Sequence, residues 1–257
     1  MRDLTYPAII VAAKTAFRLL DQHITMTGTE NVPREGGVLL AYNHIGYVDF
    51  IYGGLAANPS GRLVRFMAKK EIFDHPVGGP LMRSFHHIEV DRAEGQGSYL
   101  KAVDYLRRGE AVGIFPEATI SRSFELKEFK SGAVRIAASA GVPVVPVILW
   151  GTQRMLTKGH PKDFSRGKSI HIMVGEALHP SGEDPEAENV QLQERMAAML
   201  TDTIEGYPAA EQPPGSWWLP ARFGGSAPTL EEALALESAE RRERAAKRAA
   251  QRKAKKK

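Results

Sequence analysis

Apolar and polar positions along this chain follow two different periods. Over residues 6–22, Ile9, Ala13, Phe17 and Leu20 lie near one stripe and Lys14, Arg18 and Asp21 near another, which predicts a helix. Such a helix either packs on the core or lies in a membrane interface, with Tyr6, Ile9, Ile10, Phe17 and Leu20 as its apolar side. Strand-like apolar runs then alternate with helical patterns. Strands are expected at Gly37–Tyr42, Leu63–Ala68, His87–Val90, Ala111–Phe115 and Val142–Trp150, and at Ser169–Gly175, where Ile170, Ile172 and Val174 alternate. Helices are expected at Asp49–Asn58 (stopped by Pro59), Gln96–Arg108 (closed by Gly109), Gly132–Ala140 (closed by Gly141) and Glu186–Gly206. This alternation predicts an α/β fold, a single domain with a central mixed sheet flanked by helices. No internal repeat is visible.

The ends differ from the middle. Residues 208–228 are rich in Pro and Gly and carry Trp217 and Trp218, so they read as a segment wrapping back onto the body or as a membrane-touching loop. From residue 229 the chain is rich in Ala, Glu, Arg and Lys, and is either helical or disordered; it lacks a strong apolar face. The expected organisation is therefore an N-terminal amphipathic helix (1–25), a folded body (26–207), the Pro/Gly/Trp segment (208–228) and a basic tail (229–257).

Composition narrows the picture. With 43% apolar residues in 257, the chain can build a core and is not a disordered protein. It has no cysteine, which removes disulfides, zinc–thiolate sites and a cysteine nucleophile, and fits an intracellular protein. The longest apolar stretch near the start, Tyr6–Ala13, is too short to span a bilayer, and no secretory signal is expected. The net charge of +4 is unevenly placed: residues 228–257 hold ten Lys/Arg and five Glu, a net of +5, leaving −1 on the rest. The tail therefore suits an anionic partner, a membrane surface in preference to nucleic acid, because no aromatic residues interleave its cations.

Two segments carry chemistry. Asn43-His44-Ile45-Gly46-Tyr47-Val48-Asp49 joins an apolar strand to a helix. A histidine acting as base needs a group to hold its tautomer, and an aspartate does this. Inside a helix, five steps would turn Asp49 about 140° away from His44. The two meet only if His44 sits in the turn, which Gly46 permits. Phe115-Pro116-Glu117-Ala118-Thr119-Ile120-Ser121-Arg122 also follows a strand, where ligands bind in open sheets. Other patterns carry less. His86 and His87 are adjacent, so on a strand they point to opposite faces, and no metal site is expected. Gly95-Gln96-Gly97 lacks the third glycine of a dinucleotide loop, and Pro228 replaces the closing glycine of a nucleophile elbow after Gly224.

Taken in order, these blocks resemble the glycerophospholipid acyltransferase family. The family pattern is Asn-His-x4-Asp, a segment ending in Arg, Phe-Pro-Glu-Gly-Thr-Arg-Ser, and a Val-Pro-rich strand. Here they are Asn43-His44 with Asp49, Ile88–Arg92, Phe115-Pro116-Glu117 with Thr119, and Val142–Val147; Ala68–Phe73 is also similar. The likeness covers about residues 29–176. Three features depart from it. The family glycine is Ala118, its arginine position is Ile120 with Arg122 two places on, and His86-His87 replaces small residues.

The resemblance implies acyl transfer without a covalent enzyme intermediate and without a cofactor, using acyl-CoA or acyl-carrier protein as donor. His44 is implied as base, oriented by Asp49. Lys69, Arg92 and Arg122 are implied as contacts for the phosphate of a glycerolipid acceptor, with Glu117 and Thr119 shaping its site. Backbone amides in the His44 turn are the expected oxyanion donors. The expected acceptor is 1-acyl-glycerol 3-phosphate, with glycerol 3-phosphate or another phospholipid as alternatives, and the expected location is peripheral, on the cytoplasmic face of the cell membrane. Readings from other classes are a thioester or lipid hydrolase and a non-enzymatic anionic-surface binder.

Overall fold

A computed structural model describes residues 5–91 and 95–254 of the chain. Arg92 lies outside the described residues. Seven strands form one sheet: β1 (His23–Thr27), β2 (Val38–Tyr42), β3 (Val64–Lys69), β4 (Ile88–Val90), β5 (Ala111–Ile114), β6 (Val144–Trp150) and β7 (Ser169–Val174). Their order is β1-β7-β6-β2-β5-β3-β4. All neighbours run parallel except β6 and β7, so the sheet is mixed, as expected.

Both faces of the sheet are covered, which explains why β2 and β6 read as unbroken apolar runs and are buried throughout. Alternate side chains enter two separate cores. Leu39, Ala41, Val144, Ile148 and Trp150 point to one face, and Val38, Leu40, Tyr42, Val145, Val147 and Leu149 to the other. The first core is covered by α5 (Gly95–Arg107), α6 (Gly132–Ala140) and α7 (Pro185–Glu205), and the second by α1 (Tyr6–Leu19) and α2 (Asp49–Ala56). Each large apolar side chain removed from water on either face stabilises the fold by about 1.5–3 kcal/mol.

The helices and strands follow the sequence reading to within a few residues, with two additions. One is β1, an edge strand of mostly exposed residues (His-Ile-Thr-Met-Thr) recruited by β7; it crosses the expected boundary at residue 25. The other is the helical pair α3 (Lys70–Phe73) and α4 (Gly78–Ser84) between β3 and β4. Helix α1 is tied to the body: the Tyr6 hydroxyl donates to the Val64 carbonyl (2.9 Å), and Phe17 stacks on Tyr52 (4.7 Å between centroids). The apolar stripe read from the sequence is thus divided. Tyr6 and Phe17 are buried, Ile10, Ala13 and Leu20 are half-buried and Ile9 faces out, as do Val11 and Leu19 outside that stripe.

Residues 208–228 wrap back onto the first core, burying Trp218, Leu219 and Ala227. The tail continues as α8 (Leu230–Ala254), started by a capping box in which Thr229 and Glu232 bond each other's amide. Contrary to the sequence reading, the tail does dock: Ala233 is fully buried, and Glu237 and Glu240 turn inward from the same stripe. No helix among the described residues is long and apolar enough to cross a membrane.

Candidate active site

Because β2, β3, β4, β5 and β6 run parallel, their C-terminal ends share one edge, the edge where open sheets bind ligands. His44 follows β2, Glu117 follows β5, Thr152 follows β6, and Lys69 ends β3.

The His44 turn is held by hydrogen bonds at every point. Asn43 is fully buried and bonds both main-chain groups of Leu149, donating to its carbonyl (3.0 Å) and accepting from its amide (2.7 Å). Its amide side chain continues the β2–β6 pairing one step beyond the strand, which is the physical reason for an asparagine before the histidine. Asp49 opens α2 and is also fully buried. Its Oδ2 accepts from His44 Nδ1 (2.8 Å) and from the amides of Ile45 (2.7 Å) and Gly46 (2.8 Å), and its Oδ1 accepts from the Thr152 hydroxyl (2.6 Å). Facing a carboxylate, Nδ1 carries the imidazole proton, so Nε2 presents its lone pair. The His44 side chain is 22% exposed. Gly46 fits closely: a Cβ there would crowd the Leu156 carbonyl at 3.1 Å and Asp49 Oδ1 at 3.2 Å.

The loop after β5 clasps the same turn. The His44 amide donates to Glu117 Oε1 (2.9 Å), and the His44 carbonyl accepts from the Ser121 amide (2.8 Å). Glu117 Oε2 accepts from the Lys127 amide (3.2 Å). Burial is the main cause that pushes the Glu117 carboxyl up to about 8, against the lowering effect of these two amides and of the Lys127 charge. Glu117 was expected to meet the acceptor. It is only 6% exposed and both oxygens bond main chain, so in this structure it ties the His44 turn to the loop after β5. The expected oxyanion donors are likewise committed: the amides of His44, Ile45, Gly46 and Tyr47 all bond protein acceptors.

Ala118 has φ +60°, the left-handed conformation that glycine occupies without strain, so the alanine carries a Cβ cost of about 1–2 kcal/mol. Ile120 is buried, which is why position 120 holds no cation, while Arg122 turns toward a cluster of charges. Lys127 lies in that cluster, its Nζ bonded to the Thr119 hydroxyl and to Glu237 (3.0 Å). Lys69 is exposed at the end of β3, beside β4.

Lys127 and Thr152 were not singled out from sequence. Lys127 sits in the charged run Glu125–Lys130, which reads as a solvated loop; Thr152 follows β6 with no accompanying pattern. His87, by contrast, is a buried part of the core: its Nδ1 accepts from the Phe66 amide (3.1 Å), and burial pushes the imidazole down to about 3.

An apolar groove opens between α1 and α2, lined by Ile9, Ile10, Phe50, Ile51 and Phe85. A chain of rings joins it to the histidine. His44 stacks on Phe115 (4.3 Å), Phe115 on Phe66 (5.9 Å), and Phe66 meets Phe50 (6.4 Å).

A histidine–aspartate pair at the C-terminal edge of a mixed sheet, next to a cationic loop, suits an enzyme that transfers acyl groups. The chain belongs to the Acyltransferase family, whose model matches residues 23–150. It is 34% identical over 171 residues to the 1-acyl-sn-glycerol-3-phosphate acyltransferase of Bacillus subtilis, covering 66% of this chain and 79% of that protein. To the protein of the same name from Borreliella burgdorferi it is 29% identical over 177 residues, covering 66% and 68%. In fold it is similar to the crystal structure of the 1-acyl-sn-glycerophosphate acyltransferase of Thermotoga maritima, with a TM-score of 0.64, 24% identity and coverage of 79% of this chain and 80% of that one.

Proposed function

We propose that this acyltransferase moves a fatty acyl chain from acyl-CoA or acyl-carrier protein to the free hydroxyl of 1-acyl-glycerol 3-phosphate, giving phosphatidic acid. The observation that carries the reading is the His44–Asp49 contact, with Nδ1 on the carboxylate and Nε2 turned out as the base. His44 Nε2 takes the hydroxyl proton as the oxygen attacks the thioester carbonyl. The tetrahedral intermediate collapses, the C–S bond breaks, and the imidazolium returns its proton to the departing thiolate. Asp49 holds the tautomer and stabilises the imidazolium. No cofactor takes part.

The acyl chain of the donor fits the groove beside Phe50 and Ile51, which the ring contacts link to His44. The acceptor phosphate is assigned to Arg122 and Lys127, with Lys69 as a further cation on the same edge and Thr119 beside Lys127; Arg92, outside the described residues, is a further candidate. The names of the relatives support this acceptor over glycerol 3-phosphate. Outward-facing Ile9, Phe50 and Ile51 at the groove and Val11 and Leu19 elsewhere on α1, with the cations of the tail, suit peripheral binding to the cytoplasmic face of the cell membrane.

Labelled acyl-CoA offered with a panel of acceptors tests the reading. Labelled phosphatidic acid from 1-acyl-glycerol 3-phosphate is expected, with slow CoA release in the absence of acceptor. Acceptor-independent release at the full rate would make the protein a thioester hydrolase, and acylation of glycerol 3-phosphate in preference would move the acceptor assignment.

A further inference from the structure

The loop that clasps His44 ends in a small cationic basin whose present occupants come from the far end of the chain. Arg122 pairs with Glu240, and Lys127 Nζ lies 3.0 Å from Glu237. Lys158 faces the same group: burial lowers its pKa first, Glu237 and Glu240 raise it, and Lys127 and Arg122 lower it. Arg122 packs across Gly159, where a Cβ would stand 2.6 Å from Nη1, and its buried Nε finds no hydrogen-bond partner. Three cations therefore face two carboxylates, and one buried guanidinium N–H is unmet. The basin adjoins the base directly, because the Glu117 carboxyl bonds the amides of both His44 and Lys127.

The attachment of α8 is slight in every other respect. Only Ala233, Glu237 and Glu240, at i, i+4 and i+7, turn toward the body between residues 231 and 243, and the described side chains beyond Glu240 are exposed. Leu234 and Leu236 face out. Beyond half-buried Leu230 at its start, one buried methyl group and two carboxylates hold the helix, so the docking of 233–243 is mainly electrostatic. Charge is also divided along it: all five glutamates fall within 231–243 and all ten cations within 241–257. The acidic half reaches the basin, and the described side chains of the basic half are exposed.

We propose that Glu237 and Glu240 determine acceptor affinity as an internal ligand of the phosphate subsite, occupying Arg122, Lys127 and Lys158 in the free protein until the acceptor's phosphate takes their place. This rests on the reading of the basin as the acceptor-phosphate site. A phosphate monoester brings nearly two charges and three acceptor oxygens, and can bond Arg122 in the bidentate geometry that favours guanidinium. A single carboxylate on a tethered helix offers less at each cation. The helix keeps the basin from standing open with uncompensated charge, and scales the apparent affinity down to the fraction of time it is undocked.

The test uses the full-length protein, a short-chain water-soluble 1-acyl-glycerol 3-phosphate and acyl-CoA. The double variant Glu237→Gln/Glu240→Gln is expected to lower acceptor KM by about threefold or more, with kcat within about twofold and donor KM unchanged. Hydrogen exchange supplies a second readout: saturating acceptor without donor is expected to speed exchange of the amides at 233–243 in the unaltered protein. Unchanged or raised acceptor KM in the double variant, or slower exchange of α8 with acceptor bound, overturns the proposal and makes the helix a clamp that orders the cations. Arg122→Gln and Lys127→Met separate this from failure of the underlying reading. If either raises acceptor KM while the glutamate variant does nothing, the basin binds phosphate and only the internal-ligand role falls. If neither moves acceptor KM, the basin is not the phosphate site.

Discussion

The His44 amide donates to Glu117 Oε1 at 2.9 Å, so the turn that carries His44 hangs from a buried carboxyl group. Glu117→Gln puts an amide donor where one of two main-chain N–H groups needs an acceptor, leaving a buried group unpaired at about 1–3 kcal/mol. We expect kcat to fall by about tenfold or more with acceptor KM little changed, because the defect is in the placement of His44. A rise in acceptor KM with unchanged kcat would return Glu117 to the substrate.

The same carboxyl makes stability depend on pH. Its value in the folded protein, about 8, is above its ordinary 4.5, so the folded state keeps the proton longer than the unfolded chain. The stability it contributes is complete below the ordinary value and is lost as pH rises through about 8. Denaturation midpoints of the unaltered protein and of Glu117→Gln should therefore converge or cross between about pH 5 and pH 9. A constant difference across that range would show that Glu117 ionises without cost.

Replacing His44 by alanine removes the base and should cost on the order of 10²–10⁴ in kcat without unfolding the protein. Asp49→Asn should be strongly impaired as well, since an amide no longer holds the Nδ1–H tautomer. Thr152→Val is the finer test. It deletes the 2.6 Å bond to Asp49 Oδ1, a bond to a charged group worth about 1.5–3 kcal/mol, and should lower kcat by about tenfold or more. Near-normal turnover of folded Thr152→Val would remove it from the support of the pair.

Ala118 sits at φ +60°, where the Cβ is a liability. Ala118→Gly should keep or raise the melting temperature, the reverse of the usual effect of an alanine-to-glycine change, because relief of strain offsets the added freedom of the unfolded chain. A clear loss of thermal stability would mean that the alanine methyl packs more than it strains.

The outer surface of α1 separates membrane contact from folding. Glutamate at Ile9 or Val11, both outward-facing, should weaken co-sedimentation with neutral and anionic vesicles alike and leave the fold intact. Glutamate at Phe17, which stacks on Tyr52, should instead destabilise the protein, since removal of a buried phenylalanine alone costs about 3–5 kcal/mol. Truncation after residue 243 should weaken binding to anionic vesicles only and flatten its dependence on salt. If neither change alters vesicle binding, another surface meets the lipid.

Much of this architecture is legible in one dimension. A strand buried on both faces must be apolar throughout, so β2 and β6 stand out, and amphipathic helices between strands imply a sheet covered on both sides. His44 and Asp49 could be paired because they lie five residues apart in a turn, within reach of local geometry. Other features depended on the folded sheet. Edge strand β1 has little apolar content and exists because β7 offers it hydrogen bonds. Glu117 reaches His44 across 73 residues and Thr152 reaches Asp49 across 103, because parallel β2, β5 and β6 bring their ends to one edge. Whether a carboxylate faces substrate or main chain is decided by that packing, since its residue type is the same in both cases. The tail looked unable to dock for want of an apolar face, yet two of its glutamates find buried cations 118 and 110 residues away. Periodicity along a chain records how much of an element is buried; the partner of a charge is set by which distant segments the sheet places beside it.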